Sequence, residues 1–211
     1  MTARPGRIVI LNGVPRSGKS SIVAALQQTG PWINLGVDVY AKAMPRQLLP
    51  GIGLRPGGER PDLEPMLPVL FAGLYDSIAA HARLGLDVVA DLGHHDSYST
   101  PLGILPDCAR RLAGLPVLFV GIHCPIEVIM ARRNADPQGI YASSSDGSVP
   151  EPVRRWQDGV HRPGIYDLDV DTAQLSSEQC AAAILALLDC GVAGFTAFEQ
   201  LARLQGSNPQ S

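Results

Sequence analysis

Gly13, Gly18, Lys19 and Ser20 stand at the spacing G-x-x-x-x-G-K-S, directly after the apolar run Ile8-Val9-Ile10-Leu11 and directly before a helix-forming segment. Those residue types in that strand-before, helix-after setting bind phosphate. Glycine at 13 and 18 lets successive backbone N–H groups converge on an anion with no Cβ in the way. A helix opening at Gly18 aims its unpaired N–H groups and the positive end of its dipole at the same point. Lys19 is placed to hold β- and γ-phosphates and the Ser20 hydroxyl to ligate Mg²⁺. Val14, Pro15, Arg16, Ser17 and Ser21 complete the expected nucleotide-binding stretch. Lys19 and Lys42 are the chain's only lysines, which weighs against a chance match.

Two aspartates follow apolar runs. Asp91 ends Leu86-Asp87-Val88-Val89-Ala90, and Asp38 follows Trp32-Ile33-Asn34-Leu35-Gly36-Val37. In open parallel sheets ligands bind beyond the carboxyl ends of the strands, so both acids are placed to face one site. Asp91 suits holding Mg²⁺ opposite Ser20. Asp38 either faces the site or caps a helix beginning at Val39, and position alone does not separate the two. Arg132 and Arg133 end a helix that opens near Pro125. Arginines there can reach a transferring phosphoryl group, an effect on the order of a thousandfold or more in rate, with solvated helix-end arginines as the competing reading. His94-His95-Asp96 invites a zinc reading, but adjacent side chains diverge and no third ligand stands at a recognised spacing, so a polar loop at the mouth of the site is expected.

The elements that must position these groups follow from periodicity and punctuation. Ser20 to about Thr29 reads as a helix stopped by Gly30-Pro31, and Trp32 to Val37 as a second strand ending at Asp38. The stretch 50–61 is too rich in Gly and Pro for a helix or a central strand and reads as a loop at the acceptor end. Met66, Leu67, Leu70, Phe71, Leu74, Tyr75 and Ile78 recur at helical spacing up to Leu84, with Gly85 as the stop; the stripe is core, at the place where, with Val39, Tyr40 and Met44, an apolar acceptor pocket would be built. A helix from about Thr100 to Ala113 leads to the buried strand Pro116–His123. A lid spans about 132–157, its loop rich in Ser, Gly, Pro and Asp from Asn134 to Pro152, with Arg154 and Arg155 opening a short helix. Tyr166–Thr172 alternates as a fifth strand, Ser176 caps a helix to Leu188, and an amphipathic stretch carrying Phe195, Phe198, Leu201 and Leu204 precedes a polar tail. These signals predict an α/β fold: a five-stranded parallel sheet flanked by helices and opened by a P-loop. One domain is expected over 1–190, followed by a C-terminal extension over 191–211.

Composition narrows the partners. A net charge of -3 and a pI near 5.9, with no block of like charges, give no footprint for nucleic acid. Met1-Thr2-Ala3-Arg4-Pro5-Gly6 leads into a strand without a secretory leader, and no run approaches membrane-spanning length, so a soluble cytoplasmic protein is expected. Cys108, Cys124, Cys180 and Cys190 show no C-x-x-C spacing and read as structural thiols.

Ile10-Leu11-Asn12-Gly13, Gly18-Lys19-Ser20-Ser21, Leu35-Gly36-Val37-Asp38, the strand ending in Asp91, and Val160-His161 through Tyr166-Asp167-Leu168-Asp169-Val170-Asp171-Thr172 together resemble the chloramphenicol phosphotransferase-like family, over about residues 7 to 190. The resemblance implies a fold like those of shikimate and nucleoside kinases, ATP and Mg²⁺ as cofactors, and transfer to a primary hydroxyl of a chloramphenicol-type antibiotic. It implies Asp38 as the general base and supports the lid role of Arg132 and Arg133. The lid segment is longer than the family's, and the loop of the fifties and the His94 region match it poorly. The acceptor therefore stays open: another small alcohol such as a sugar, nucleoside or metabolite, or a regulatory ATPase acting on a partner protein, are the alternatives. The Asn-Lys-x-Asp motif of guanine-type switches is absent.

Overall fold

The computed structural model describes residues 4–48, 60–135, 148–191 and 196–204. Ile8–Asn12 forms β1, a wholly buried strand whose side chains alternate between two cores: Ile8 and Ile10 enter one, Val9 and Leu11 the other. Burial on both faces is what a continuous apolar run in a parallel sheet requires. The phosphate loop leads from β1 into α1 (Lys19–Thr29), and β2 (Ile33–Asn34), α2 (Val37–Ala41) and α3 (Leu67–Arg83) follow. Next come β3 (Val88–Leu92), α4 (Ile104–Arg111), β4 (Val117–His123), α5 (Ile126–Asn134), α6 (Glu151–Gly159), β5 (Leu168–Asp171), α7 (Ser177–Asp189) and α8 (Ala197–Arg203). The five strands are all parallel in the order β2-β3-β1-β4-β5.

Placing β1 at the centre brings the loop out between β3 and β4. Leu11 pairs with Asp91, so the carboxylate at the end of β3 lies beside the start of the loop. One face of the sheet is covered by α3, α4 and α8 around Phe71, Leu74, Tyr75, Ile78 and Phe119. The other is covered by α1 and α7 around Ile22, Leu26, Val120, Val170 and Ile184. A smaller cluster of Val14, Cys124, Ile129, Val153, Trp156 and Val160 packs α5 and α6 onto the phosphate loop itself.

Most sequence expectations match these elements, and two differ. The second strand stops at Asn34 because the Asn34 Oδ1 accepts the Gly36 N–H at 2.8 Å, a side-chain turn that ends the extended run. Helix α2 then begins at Val37, with Gly36 as its N-cap, so Asp38 lies inside the first helical turn and does not cap a helix starting at Val39. The stretch after 191 contributes to the core: Phe198 and Leu201 of α8 are buried, and the Phe198 ring stands edge-on to Phe119 at 5.0 Å. Phe198→Ala is expected to cost about 3 kcal/mol in chemical denaturation, since it empties a space shared by Tyr75 and Phe119. The proposed loop over the fifties, the middle of the lid, Phe195 and the polar tail lie outside the described residues.

Helix ends agree with their signals where ligands are not involved. Gly85 takes φ 87 just after α3, and Ser176 with Gln179 forms a full capping box on α7. Cys108, Cys124 and Cys180 are buried free thiols, as expected, while Cys190 is exposed. No helix among the described residues is long and apolar enough to cross a membrane.

Candidate active site

The phosphate loop is built by β1 and α1 together. Gly18 adopts φ 96 at the N-terminus of α1, and no side chain caps that helix. The orphan N–H groups at that end of α1 are thus left available to an outside anion. Lys19 folds back across the loop, its Nζ donating to the carbonyls of Gly13 and Val14, each at 2.8 Å. Burial pulls the Lys19 ammonium down to about 8, with Asp91 and then Asp38 opposing the shift. Bound phosphates favour the charged form and would lift it again. ATP affinity is therefore expected to be flat below about pH 7 and to fall above about pH 8, by at most about tenfold per unit. Titration calorimetry at increasing pH checks this, and proton uptake on binding above pH 8 should accompany the fall. Without ligand the sign is different. The unfolded chain keeps the lysine proton up to 10.5 while the folded chain loses it near 8, so stability rises with pH across that window.

Ser20 Oγ donates to Asp91 Oδ2 at 2.7 Å, which joins the start of α1 to the end of β3. A hydroxyl beside a buried carboxylate is an oxygen donor set that fits Mg²⁺ and would leave further coordination positions to phosphate and water. Gly36 explains part of the Gly-Val-Asp signature. A Cβ at that position would collide with Asp91 Oδ1, so glycine lets the β2–α2 connection pass the carboxylate without displacing it. Asp38 follows two residues later, exposed on α2, and faces the same cavity as the loop.

That cavity, about 910 Å³, is lined along one side by Arg16, Gly18, Lys19, Ser20 and Asp91. Val37, Asp38, Phe71, Leu92, Gly93 and Trp156 also line it, as do Arg132, Thr172, Leu175, Ser176 and Ser177. Arg133 and Ala135 also border it, as do Gly13, Pro15 and Ser21, whereas Val14 and Ser17 of the expected nucleotide-binding stretch are buried and do not line it. Arg132 is anchored, donating to the Arg16 carbonyl at 3.2 Å and the Thr172 carbonyl at 2.8 Å. Arg133 is buried in the wall.

The histidines differ from expectation. His94 and His95 do not form a polar mouth. Both are buried, because the chain after β3 passes beneath α3 and α6. His94 Nε2 lies 2.7 Å from the Tyr75 hydroxyl, and burial with the neighbouring His95 lowers its pKa to about 3, so it is neutral. The His95 ring packs on Tyr98 and on the edge of Trp156 at 4.9 Å. Among the described residues no group of three or more His, Cys, Asp or Glu could hold a metal ion.

Sequence reasoning missed several contributors. Trp156 lines the cavity, lying so near Gly93 that a Cβ there would meet its ring at 2.8 Å. Its signal was present in the helical spacing of Val153, Trp156 and Val160. Asn12 ties three parts of the site. Its Nδ2 donates to the Val160 carbonyl at 2.9 Å and the Tyr166 hydroxyl at 2.8 Å, and its Oδ1 accepts the His94 N–H at 2.7 Å. Tyr166 in turn meets His161 Nδ1 at 2.9 Å, a histidine whose pKa burial and the stacked His123 lower to about 4.

Comparison with known proteins supplies the family and the fold. The family model described as chloramphenicol phosphotransferase-like protein matches residues 6–189. A curated relative from Mycobacterium tuberculosis, named provisionally as an O-phosphotransferase, is 27% identical over 183 residues, covering 79% of this chain and 75% of that protein. Among solved structures, a sugar kinase from Janibacter sp. HTCC2649 superposes with a TM-score of 0.60 at 21% identity, covering 91% of this chain and 99% of that one. The Mycobacterium tuberculosis APS kinase CysC, solved with AMPPNP and APS, gives 0.59 at 19% identity, covering 88% and 98%. These two share the P-loop kinase fold with this chain. With the family model matched from the strand before the phosphate loop to the end of α7, the chain belongs to the chloramphenicol phosphotransferase-like family and is a phosphotransferase.

Proposed function

We propose that the protein binds MgATP along the phosphate loop and transfers the γ-phosphoryl group to a hydroxyl of a chloramphenicol-type alcohol. The observation that carries this reading is the continuity of one cavity from the loop and the Ser20–Asp91 pair to Asp38 and an apolar end. Loop N–H groups and Lys19 hold the β- and γ-phosphates, and Ser20 with Asp91 would hold Mg²⁺, which supplies charge neutralisation on those phosphates. Asp38 orients the acceptor hydroxyl and takes its proton as the oxygen bonds to phosphorus, while the bond from the γ-phosphorus to the bridging oxygen of ADP breaks. Arg16 and Arg133, which line the same cavity, add positive charge beside the transferring group.

The acceptor end favours an alcohol with apolar or aromatic bulk. Val37, Phe71, Leu92 and Trp156 line it, and the neighbouring imidazoles of His94 and His95 are buried behind that wall. A sugar or other polyol would need a ring of polar partners to replace water. Mass spectrometry of chloramphenicol incubated with the protein and MgATP tests the proposal. Gain of one phosphoryl group is expected. Phosphorylation of a sugar or nucleoside with chloramphenicol untouched would keep the reaction and overturn the acceptor class. Nucleotide-dependent capture of a protein with no phosphorylated product would favour a regulatory ATPase.

A further inference from the structure

Arg132 stands at the start of the lid, where an arginine is expected to touch the transferring phosphoryl group, yet both of its terminal nitrogens are already engaged, Nη1 also meeting Cys124 Sγ at 3.4 Å. Nη1 donates to the Arg16 carbonyl at 3.2 Å and to Thr172 Oγ1 at 3.1 Å, and Nη2 donates to the Thr172 carbonyl at 2.8 Å. The Thr172 hydroxyl donates its own proton to the Ser17 carbonyl at 2.7 Å. Two consecutive carbonyls of the phosphate loop are thus held from outside, by a helix-end arginine and by the residue just after β5. The clamp lies directly against the loop: a Cβ on Gly18 would meet Thr172 Cγ2 at 3.5 Å and Arg132 Nη1 at 3.6 Å.

Peptide geometry gives these bonds a consequence. In a planar trans peptide the C=O of one residue and the N–H of the next point in opposite directions. Holding the Ser17 carbonyl outward turns the Gly18 N–H toward the concave side where an anion sits. The Ser17 N–H closes the turn onto the Val14 carbonyl at 3.2 Å, which fixes the other end of the same segment. Arg16 meanwhile holds φ 71, a left-handed conformation that is unfavourable for a side-chained residue and needs an external hold. The Arg132 bond to its carbonyl is such a hold.

We propose that Arg132 and Thr172 are positioning residues that lock the Arg16–Ser17–Gly18 backbone in its phosphate-accepting orientation, so that Arg132 acts on the nucleotide through the loop. This rests on the reading that the loop binds nucleotide phosphates. The test is titration calorimetry of MgATP and of inorganic tripolyphosphate, with amide hydrogen exchange over residues 13–21, on wild type, Thr172→Val, Thr172→Ser, Arg132→Lys and the Thr172→Val/Arg132→Lys double variant. Thr172→Val and Arg132→Lys should each weaken tripolyphosphate about tenfold, the worth of a hydrogen bond to a preorganised group, while Thr172→Ser stays within about twofold. The double variant should be no weaker than the weaker single one, because both residues act on one segment. Exchange at Gly18 should speed up in the weakened variants with the thermal midpoint unchanged. Additive losses with wild-type exchange would mean that Arg132 touches the anion directly, and would overturn the clamp. If Thr172→Val does not fold, Arg132→Lys decides alone: wild-type protection of Gly18 overturns the proposal. Wild type that binds neither probe would remove the nucleotide reading itself, a failure distinct from wild type and Thr172→Val binding alike.

Discussion

Asp38→Asn is expected to lower phosphoryl transfer by about 10²- to 10⁴-fold, the range for a lost general base, while ATP binding near neutral pH stays close to wild type. The separation follows from position. Asp38 is exposed in the first turn of α2, across the cavity from the loop, and asparagine keeps its size and its suitability for a helix start. Its one reach toward the nucleotide is electrostatic: Asp38 helps hold up the Lys19 pKa. Asparagine should therefore make the fall in ATP affinity begin at slightly lower pH. Steady-state kinetics combined with calorimetry reads both effects, and transfer near the wild-type rate would remove Asp38 from the chemistry.

Gly36→Ala is expected to leave a folded protein with a rate about 10- to 100-fold lower and a raised Mg²⁺ requirement, the usual scale for disturbing the support of a metal ligand. Gly36 has φ -67 and ψ 165, a conformation open to any residue, so the objection is steric alone. The added methyl would meet the Asp91 carboxylate, a side-chain end that can turn away without unfolding the sheet. Turning away breaks the 2.7 Å bond from Ser20 and misplaces the oxygen meant for Mg²⁺. Gly30→Ala is the control, since its nearest foreign atom is Trp32 Nε1 at 3.8 Å. Rates measured across a Mg²⁺ series, with melting curves alongside, separate a metal effect from a folding effect.

The parts of the site that sequence made legible are those with short-range causes. The phosphate loop, α1 and Asp91 follow from local residue types, and a buried parallel strand has to be a continuous apolar run. Asp38 was placed near the site, but the start of α2 was misread because the Asn34 side chain turns the backbone back onto Gly36, a bond that hydropathy does not register. His94 and His95 look like loop residues in a polar stretch. Their burial comes from Phe71, Tyr98 and Trp156, which arrive from elements distant in sequence. Arg132 shows the same limit, since helix-end chemistry suggested a hand for phosphate and only the fold brings Arg16 and Thr172 to it. The helix after 191 was legible as an amphipathic stretch, and the fold adds that its Phe198 packs on Phe119 and Tyr75.

The most direct test of the account is a single-turnover reaction of ATP labelled at the γ-phosphorus with chloramphenicol, run on wild type and on Asp38→Asn at matched nucleotide saturation. Label on the alcohol with wild type, and none with the variant although it holds ATP equally well, is the predicted result. Label on the alcohol at the same rate in both, or label only in free phosphate with wild type, would contradict it.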